Sequence, residues 1–310
     1  MPKIPVLADL ITKKHMTIRD AIRHQNTYDK KQLQLFTDKK ITYDEYKTRI
    51  SDRLHGQWQW GTSSYNIRRS DVACKHKCLY CYVTPMFKRW GRECTPTDIE
   101  DVMAMDDKRI KKVWKPAVNR EMIFFPSSSD IFYENAKAYV SVCKNIIDAG
   151  HEIFYVTKPT LKTMKLIIKE FEKLDIKYKN NMTVFITITS NNNDILKEYE
   201  PYASTYEERV KVIELLKKHD FNVNVMIEPY LSDPIELANG LLEVLPKTGV
   251  IAIGQMNYMT GIELTTKQKK YLDDLYCNEN VKKLWEFAKN NERVFLKKDS
   301  VKAVWRVYKK

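Results

Sequence analysis

Cys74-Lys75-His76-Lys77-Cys78-Leu79-Tyr80-Cys81 is the stretch on which the reading of this chain turns. Its three thiols follow the spacing C-x₃-C-x₂-C, with the aromatic Tyr80 directly before the third. Thiolates this close in sequence either converge on one metal centre or are unrelated. Soft sulfur ligands favour zinc and iron–sulfur clusters. A four-iron cluster held by three cysteines leaves one iron open, and an open iron can chelate a small molecule. The competing reading is a zinc site in which His76 completes Cys₃His. Structural zinc motifs usually come as two separated ligand pairs, however. No second pair of Cys or His stands nearby, and zinc gives Tyr80 no role. Chance spacing of three unrelated cysteines is the remaining alternative.

The rest of the chain must supply a fold to carry such a loop. Its 310 residues suffice for one large domain with extensions, or for two domains. Apolar residues make up 43% and charged residues 30%, which is the balance of a soluble globular protein. No apolar run reaches the length of a membrane span, and Ile4–Ile11, interrupted by Asp9 and followed by Lys13 and Lys14, does not read as a secretory signal. Cys94, Cys143 and Cys277 are scattered and outline no disulfide framework. Free thiols and an oxygen-sensitive cluster both point to a reducing compartment, so the expected location is the cytoplasm.

The net charge is +13, unevenly spread. Residues 1–58 carry a net +5 and residues 267–310 a net +7, whereas the segment between them carries +1. Arg68, Arg69, Lys75, Lys77, Lys88, Arg89 and Arg92 surround the cysteine loop against Asp71 and Glu93 alone. Basic flanks beside a neutral centre suggest a polyanionic partner, nucleic acid first. A lysine-rich solvated surface is the plainer explanation.

From residue 62 onward, strand and helix patterns alternate. Candidate strands are Ser63–Ile67, Met122–Pro126, Ile153–Thr157, Thr183–Thr189, Asn222–Glu228 and Val250–Gly254. Between them lie helices with recognisable ends. Thr95 is an N-cap followed by Pro96. Asn135–Ala149 stops at Gly150, a natural C′ residue. Thr205 and Glu208 have capping-box spacing. Six βα units in series imply parallel strands with crossover helices. Six are too few to close an eight-stranded barrel, so the expected class is α/β, as a partial (β/α)₆ TIM-like barrel. Residues 1–58 read as a basic, mostly helical N-terminal extension anchored by Trp58 and Trp60. Residues 59–257 form the barrel, and 258–310 a basic C-terminal extension that closes it, with a helix over Glu279–Asn290 and a strand-like Arg293–Leu296. In such barrels chemistry sits on the loops after the strands, and the cysteine loop follows the first strand.

Motif and context together resemble the radical S-adenosylmethionine (SAM) superfamily, whose signature is C-x₃-C-x-aromatic-C. The resemblance implies a [4Fe–4S] cluster on Cys74, Cys78 and Cys81 and an open iron that holds the amino and carboxylate groups of SAM. It also implies reductive cleavage to a 5′-deoxyadenosyl radical, with an electron donor such as flavodoxin or ferredoxin. Polar residues at the other strand ends would then line the SAM pocket: Ser129 after the second strand, Lys158 after the third, Thr189 after the fourth. Lys158 can neutralise a carboxylate, and the hydroxyls can bind ribose or carboxylate oxygens. Each alone also reads as an ordinary turn or cap residue.

The runs Cys-Leu-Tyr-Cys-Tyr, Ser-Ser-Asp-Ile, Val-Thr-Lys and Ile-Thr-Ser-Asn narrow the resemblance, over roughly residues 62–257. They are similar to the spore photoproduct lyase branch and its DNA-repair-photolyase-like relatives. By that resemblance Tyr80 and Tyr82 contact the adenosyl part, Ser129 and Lys158 the SAM, and Thr189 its ribose or carboxylate. Ala73 stands where those relatives carry Gly, and neither Cys94 nor Cys277 matches the hydrogen-donor cysteine of the lyase, so the substrate is not carried over. The expected activity is hydrogen abstraction from a nucleic-acid base, with Trp58, Trp60, Tyr82 and Trp90 available to stack on it. A peptide, protein or metabolite substrate is the alternative within enzymes. A zinc-stabilised nucleic-acid-binding module is the alternative outside them.

Overall fold

The computed structural model describes residues 16–50, 61–67, 74–89, 91, 106–118, 120–257 and 261–309. Trp58, Trp60, Arg68, Arg69, Trp90, Arg92, Cys94 and the helix start expected at Thr95 lie outside the described residues.

Seven parallel strands form one sheet in the order of the sequence. They are β1 (Ser63–Ser64), β2 (Met122–Phe124), β3 (Glu152–Thr157), β4 (Met182–Thr187), β5 (Asn222–Ile227), β6 (Ile251–Ile253) and β7 (Val294–Leu296). Sequential order with every neighbour parallel requires a crossover after each strand. The crossover helices include α5 (Ala136–Asp148), α6 (Leu161–Glu172), α9 (Tyr206–Lys218) and α10 (Pro234–Val244). Shorter helices complete the loops: α3 (Val83–Arg89), α4 (Asp107–Ile110), α7 (Ile176–Asn180) and α8 (Asn193–Tyr199). Before the sheet stand α1 (Ile18–Thr37) and α2 (Tyr43–Arg49); α11 (Thr266–Leu275) and α12 (Asn278–Lys289) precede β7, and α13 (Lys298–Tyr308) follows it.

The pleat sorts the strand residues into two sets. Ile123, Ile153, Tyr155, Val184, Ile186, Val223, Val225, Ile251 and Val294 face the helices in the main core. Met122, Phe124, Phe154, Phe185, Met226, Ala252 and Phe295 face the concave side. There Phe124, Phe154 and Phe185 contact in series at 5.3 and 5.2 Å between ring centroids. Ile18 and Ile22 of α1 join this inner layer, and the Ile18 amide donates to Glu152 Oε1 at 3.2 Å. The N-terminal extension is therefore part of the barrel's packing.

Two expectations change. The six-stranded sheet gains β7, which pairs with β6 from Ile251↔Val294 to Ile253↔Leu296. The segment read as a closing extension supplies a full sheet member, because its apolar triplet serves both faces beside β6: Val294 and Leu296 join the helix-facing core and Phe295 the concave one. The capping box on α9 forms by half. Thr205 accepts from the Glu208 amide at 3.3 Å, but the Glu208 carboxylate turns away to accept from the Leu161 amide, at 2.7 Å, in the first turn of α6. An orphan amide of another helix wins over the local one.

Candidate active site

The cysteine loop leaves β1 and crosses the C-terminal ends of the strands, where it forms one wall of a cavity of about 870 Å³. Cys74, Cys78 and Cys81 are half-buried, free and all line it, as do Tyr80, Tyr82, Ser129 and Lys158. The loop turns through Lys77, whose φ of 48° is the left-handed conformation that non-glycine residues rarely adopt. Its backbone is tied down where the Leu79 amide donates to the Tyr199 carbonyl at 2.9 Å.

Two buried carboxylates hold this loop from opposite sides. Asp130, at the β2 end, accepts from His76 Nε2 at 3.0 Å, from the Lys158 amide at 2.8 Å and from Thr157 Oγ1 at 2.6 Å. It also accepts from the Ile131 amide at 2.7 Å and Tyr155 Oη at 3.3 Å. Burial alone pushes the Asp130 pKa up, but these donors and the His76 ring outweigh it, so the group lies below its ordinary value. Glu200, following α8, accepts from the Tyr80 and Thr189 hydroxyls and pairs with Arg209 of α9. Both partners of the Glu200–Arg209 pair are solvent-inaccessible. Burial pushes Glu200 up; the Arg209 guanidinium and then Lys158 pull it further down, well below the usual carboxylate range. Arg209 spends its other donors on the Ser204 and Thr187 carbonyls, at 3.0 Å each. A buried pair repays its desolvation when the remaining donors are satisfied in this way.

The sequence motif shows neither carboxylate as a site residue. Asp130 lies in the Ser-Ser-Asp-Ile run and Glu200 beyond the fourth strand. Their partners are 54 and 120 positions away, at His76 and Tyr80. For Asp130 the best sequence signal is an acid in the loop after a strand with no nearby basic partner; Glu200, after a helix and three residues from Lys197, carries none of this kind.

The expected contacts divide. Lys158 lines the cavity, its ammonium 5.4 Å from the Tyr80 ring centroid and without a hydrogen bond or ion pair to another described residue. Burial lowers its pKa, but the Cys78 sulfur, once ionised, and the Glu200 carboxylate act in the opposite sense and the value is raised. Ser129 Oγ lies 3.3 Å from Asn66 Oδ1 and 3.1 Å from the Tyr139 hydroxyl. The Tyr82 hydroxyl donates to the Ser127 carbonyl, fastening the start of α3 to the β2 end. Thr189 departs from expectation. It is fully buried, does not line the cavity, and gives its hydroxyl to Glu200 Oε1 at 2.7 Å. It stands behind Tyr80 because the buried carboxylate needs that donor.

His76 bears on the zinc reading. It is 6% exposed, with Nε2 on Asp130 and Nδ1 3.3 Å from the Tyr202 carbonyl. Both ring nitrogens are engaged, so neither points a lone pair at the thiols. Among the described residues no three His, Cys, Asp or Glu side chains converge as a single ion requires. The cysteines nevertheless share one cavity. A cluster fits that donor set better than zinc, since each thiolate binds a different iron and the sulfurs need not meet at one point. Burial pushes the Cys74 thiol up to about 12, and Cys78 is raised by the same cause. Both must therefore lose protons when a metal binds.

Glu228 after β5, Asn257 after β6 and Lys297 after β7 line the same cavity. No helix among the described residues is long and apolar enough to cross a membrane.

Comparison with known proteins follows this geometry. A family model described as the radical SAM superfamily matches residues 72–233, just over half of the chain and inclusive of all three cysteines. An uncharacterized protein of Methanocaldococcus jannaschii is 23% identical over 215 residues, covering 66% of this chain and 74% of that protein. Among solved structures, spore photoproduct lyase complexed with dinucleoside spore photoproduct is similar at a TM-score of 0.42 and 16% identity. That alignment covers 66% of this chain, which thus spans 58% of the lyase chain. A tyrosine-to-phenylalanine variant of the same lyase aligns at a TM-score of 0.43 and 13% identity, covering 76% of this chain and 74% of the other.

Proposed function

This chain belongs to the radical SAM superfamily and is an enzyme of the radical SAM type, and we propose that it abstracts a hydrogen atom from a nucleic-acid base. The observation that carries the chemistry is the meeting, on one cavity at the strand ends, of three half-buried thiols and the Lys158 ammonium, which has no hydrogen-bond or ion-pair partner among the described residues. Cys74, Cys78 and Cys81 would hold a [4Fe–4S] cluster, which when bound supplies the electron that cleaves SAM to a 5′-deoxyadenosyl radical.

The chain's own residues have separable tasks in this reading. Lys158 neutralises the methionine carboxylate through a charge-assisted bond. Tyr80 and Tyr82 flank the adenosyl part, and each has its hydroxyl engaged elsewhere. Ser129 offers a hydroxyl from the β2 end. Thr189 acts indirectly, by holding Glu200 and through it Tyr80. Asp130 and Glu200 fix the loop so that cluster and SAM meet in one orientation, which is where positioning lowers a barrier. An electron donor such as a flavodoxin or ferredoxin completes the system.

The substrate class rests on charge and on sequence resemblance. The flanks carry +5 and +7 beside a nearly neutral centre, and the strand-end runs resemble the spore photoproduct lyase branch. A base inside a duplex cannot reach a recessed cavity, so the target is single-stranded or flipped out.

The test has two arms. Anaerobic reconstitution with SAM and dithionite should yield 5′-deoxyadenosine; its absence from protein with a full iron complement overturns the radical SAM chemistry. Affinity for single-stranded DNA should fall steeply with salt, by about 0.7 log units per tenfold salt for each phosphate contacted. Absence of binding at low salt turns the substrate reading to a peptide, protein or metabolite.

A further inference from the structure

Lys297 is 1% exposed and yet lines the cavity, following β7 at the end of the sheet opposite β1. Its ammonium carries three N–H donors. One partner is recorded for it among the described residues, the Glu228 carboxylate. Buried donors as a rule find acceptors, so two N–H groups stand in reserve at the cavity wall. Glu228 uses Oε2 for Lys297 and receives the Asn257 amide at 3.3 Å on Oε1, which leaves lone pairs to spare.

The backbone makes room for this arrangement. A Cβ on Gly254 would lie 2.5 Å from Glu228 Oε1 and 2.8 Å from its Cγ. Such contacts are too close for any side chain, so glycine at the end of β6 is what lets the Glu228 side chain lie where it does. Glu228, Asn257 and Lys297 follow three adjacent strands, β5, β6 and β7, and so form a continuous edge.

The chemistry of this edge restricts what it receives. An anion meets the Glu228 carboxylate and is repelled. An apolar group leaves the Lys297 donors unpaired. What suits it is a neutral group with an acceptor beside a donor. A carbonyl oxygen stands clear of its ring and offers two lone-pair directions to one of these N–H groups, whereas a ring nitrogen offers a single direction within the ring edge. The neighbouring donor would be an N–H facing Glu228.

We propose that Glu228, Lys297 and Asn257 form a recognition edge for the carbonyl-and-N–H side of a lactam- or imide-type nucleobase. This inference rests on the nucleic-acid reading above and specifies which face of the base is held. The base edge pairs with β5–β7, in the same cavity that the cysteine loop and Lys158 line.

The experiment uses the full chain with its cluster reconstituted anaerobically. The probes are short strands of abasic sugar-phosphate with one central nucleotide: deoxyuridine, N3-methyldeoxyuridine, or a further abasic unit. All three have the same phosphates, and the methylated base keeps its stacking face but loses the N–H. Fluorescence anisotropy should give deoxyuridine an affinity roughly ten- to a hundredfold above the other two, the range for hydrogen bonds to charged groups. Lys297→Met and Glu228→Gln should remove that discrimination. Asn257→Ala, a milder change at a partly buried position, should reduce it, and it decides the matter if the buried-pair variants do not fold by circular dichroism. Equal affinity for deoxyuridine and its N3-methyl form in the unsubstituted protein overturns the inference alone. So does discrimination that survives the substitutions. Failure to bind any probe at low salt overturns the inference and the nucleic-acid reading together. Formation of 5′-deoxyadenosine by the same preparation would then show that the radical chemistry stands apart from both.

Discussion

Asp130→Asn is the change that most directly probes how the cysteine loop is held. The carboxylate receives three donors on Oδ1, from Ile131, Tyr155 and Thr157, and two on Oδ2, from His76 and Lys158. Asparagine can keep its carbonyl toward the first three. Its amide nitrogen then faces the other two. The His76 ring can adapt, since Nδ1 already faces the Tyr202 carbonyl and Nε2 can accept from the new amide. The Lys158 backbone N–H cannot, and an orphaned buried donor costs about 1–3 kcal/mol. Exchange of a charge-assisted bond for a neutral one adds about 1 kcal/mol. The expected total is about 2–4 kcal/mol, or a fall in melting temperature of roughly 3–6 °C for a chain of this length. Circular dichroism melts of the metal-free protein would measure it. The pH dependence supplies a second check. A carboxylate whose pKa is depressed in the folded state contributes stability above its unfolded value of about 3.9 and loses it as pH falls through the folded value. The gap between parent and variant should therefore be widest near neutrality and close below about pH 4. Melts that agree within a degree at pH 7, or a gap that stays constant into acid, would refute this account of Asp130.

Cys78→Ala should lose most of the iron and sulfide that the reconstituted parent binds at about four of each per chain, read by metal analysis and the loss of visible absorption; stoichiometric zinc in the parent and no iron uptake would contradict the cluster. Lys158→Ala should weaken SAM binding by roughly ten- to a hundredfold in calorimetry, from the loss of one charge-assisted bond, while iron content stays at the parent level; unchanged SAM affinity removes Lys158 from the pocket.

The parts of the fold that were legible in the sequence are those fixed by local chemistry. The strands after the cysteine loop start and end within two residues of where their β-branched and aromatic runs place them. Gly150 takes the positive φ, 92°, that its place after a helix demands. The cysteine spacing points to one stretch of cavity wall because the three thiols lie within eight residues of one another. What was hidden depends on contacts across the chain. Val294–Leu296 is three residues long, too short for periodicity to identify as a sheet strand rather than a peripheral one. Asp130 and Glu200 resemble surface acids until His76, Tyr80 and Arg209 are brought to them. Thr189 looked like a ligand contact for the same reason: a hydroxyl at a strand end is equally suited to a small molecule or a buried carboxylate, and the choice is made by a residue eleven positions later.

The packing of the first two helices also dictates an order of events. Lys30 of α1 donates to the Asn291 and Val294 carbonyls at 2.6 and 2.9 Å, and Trp285 Nε1 donates to Thr37 Oγ1 at 3.0 Å. Tyr43 and Tyr46 meet the edge of Trp305 at 5.9 and 5.6 Å. On the ribosome α1 and α2 are made before any strand, whereas these partners are made after six of them. Contacts that span some 250 positions close last and slowly. During elongation Phe36 and Tyr46 therefore wait without the neighbours that will bury them, on a segment whose positive charge helps keep it dispersed. A premature stop anywhere before codon 285 does not yield a shorter enzyme with its first helices intact. It strands them, and the nascent chain presents quality-control proteases with the apolar surface of α1 and α2.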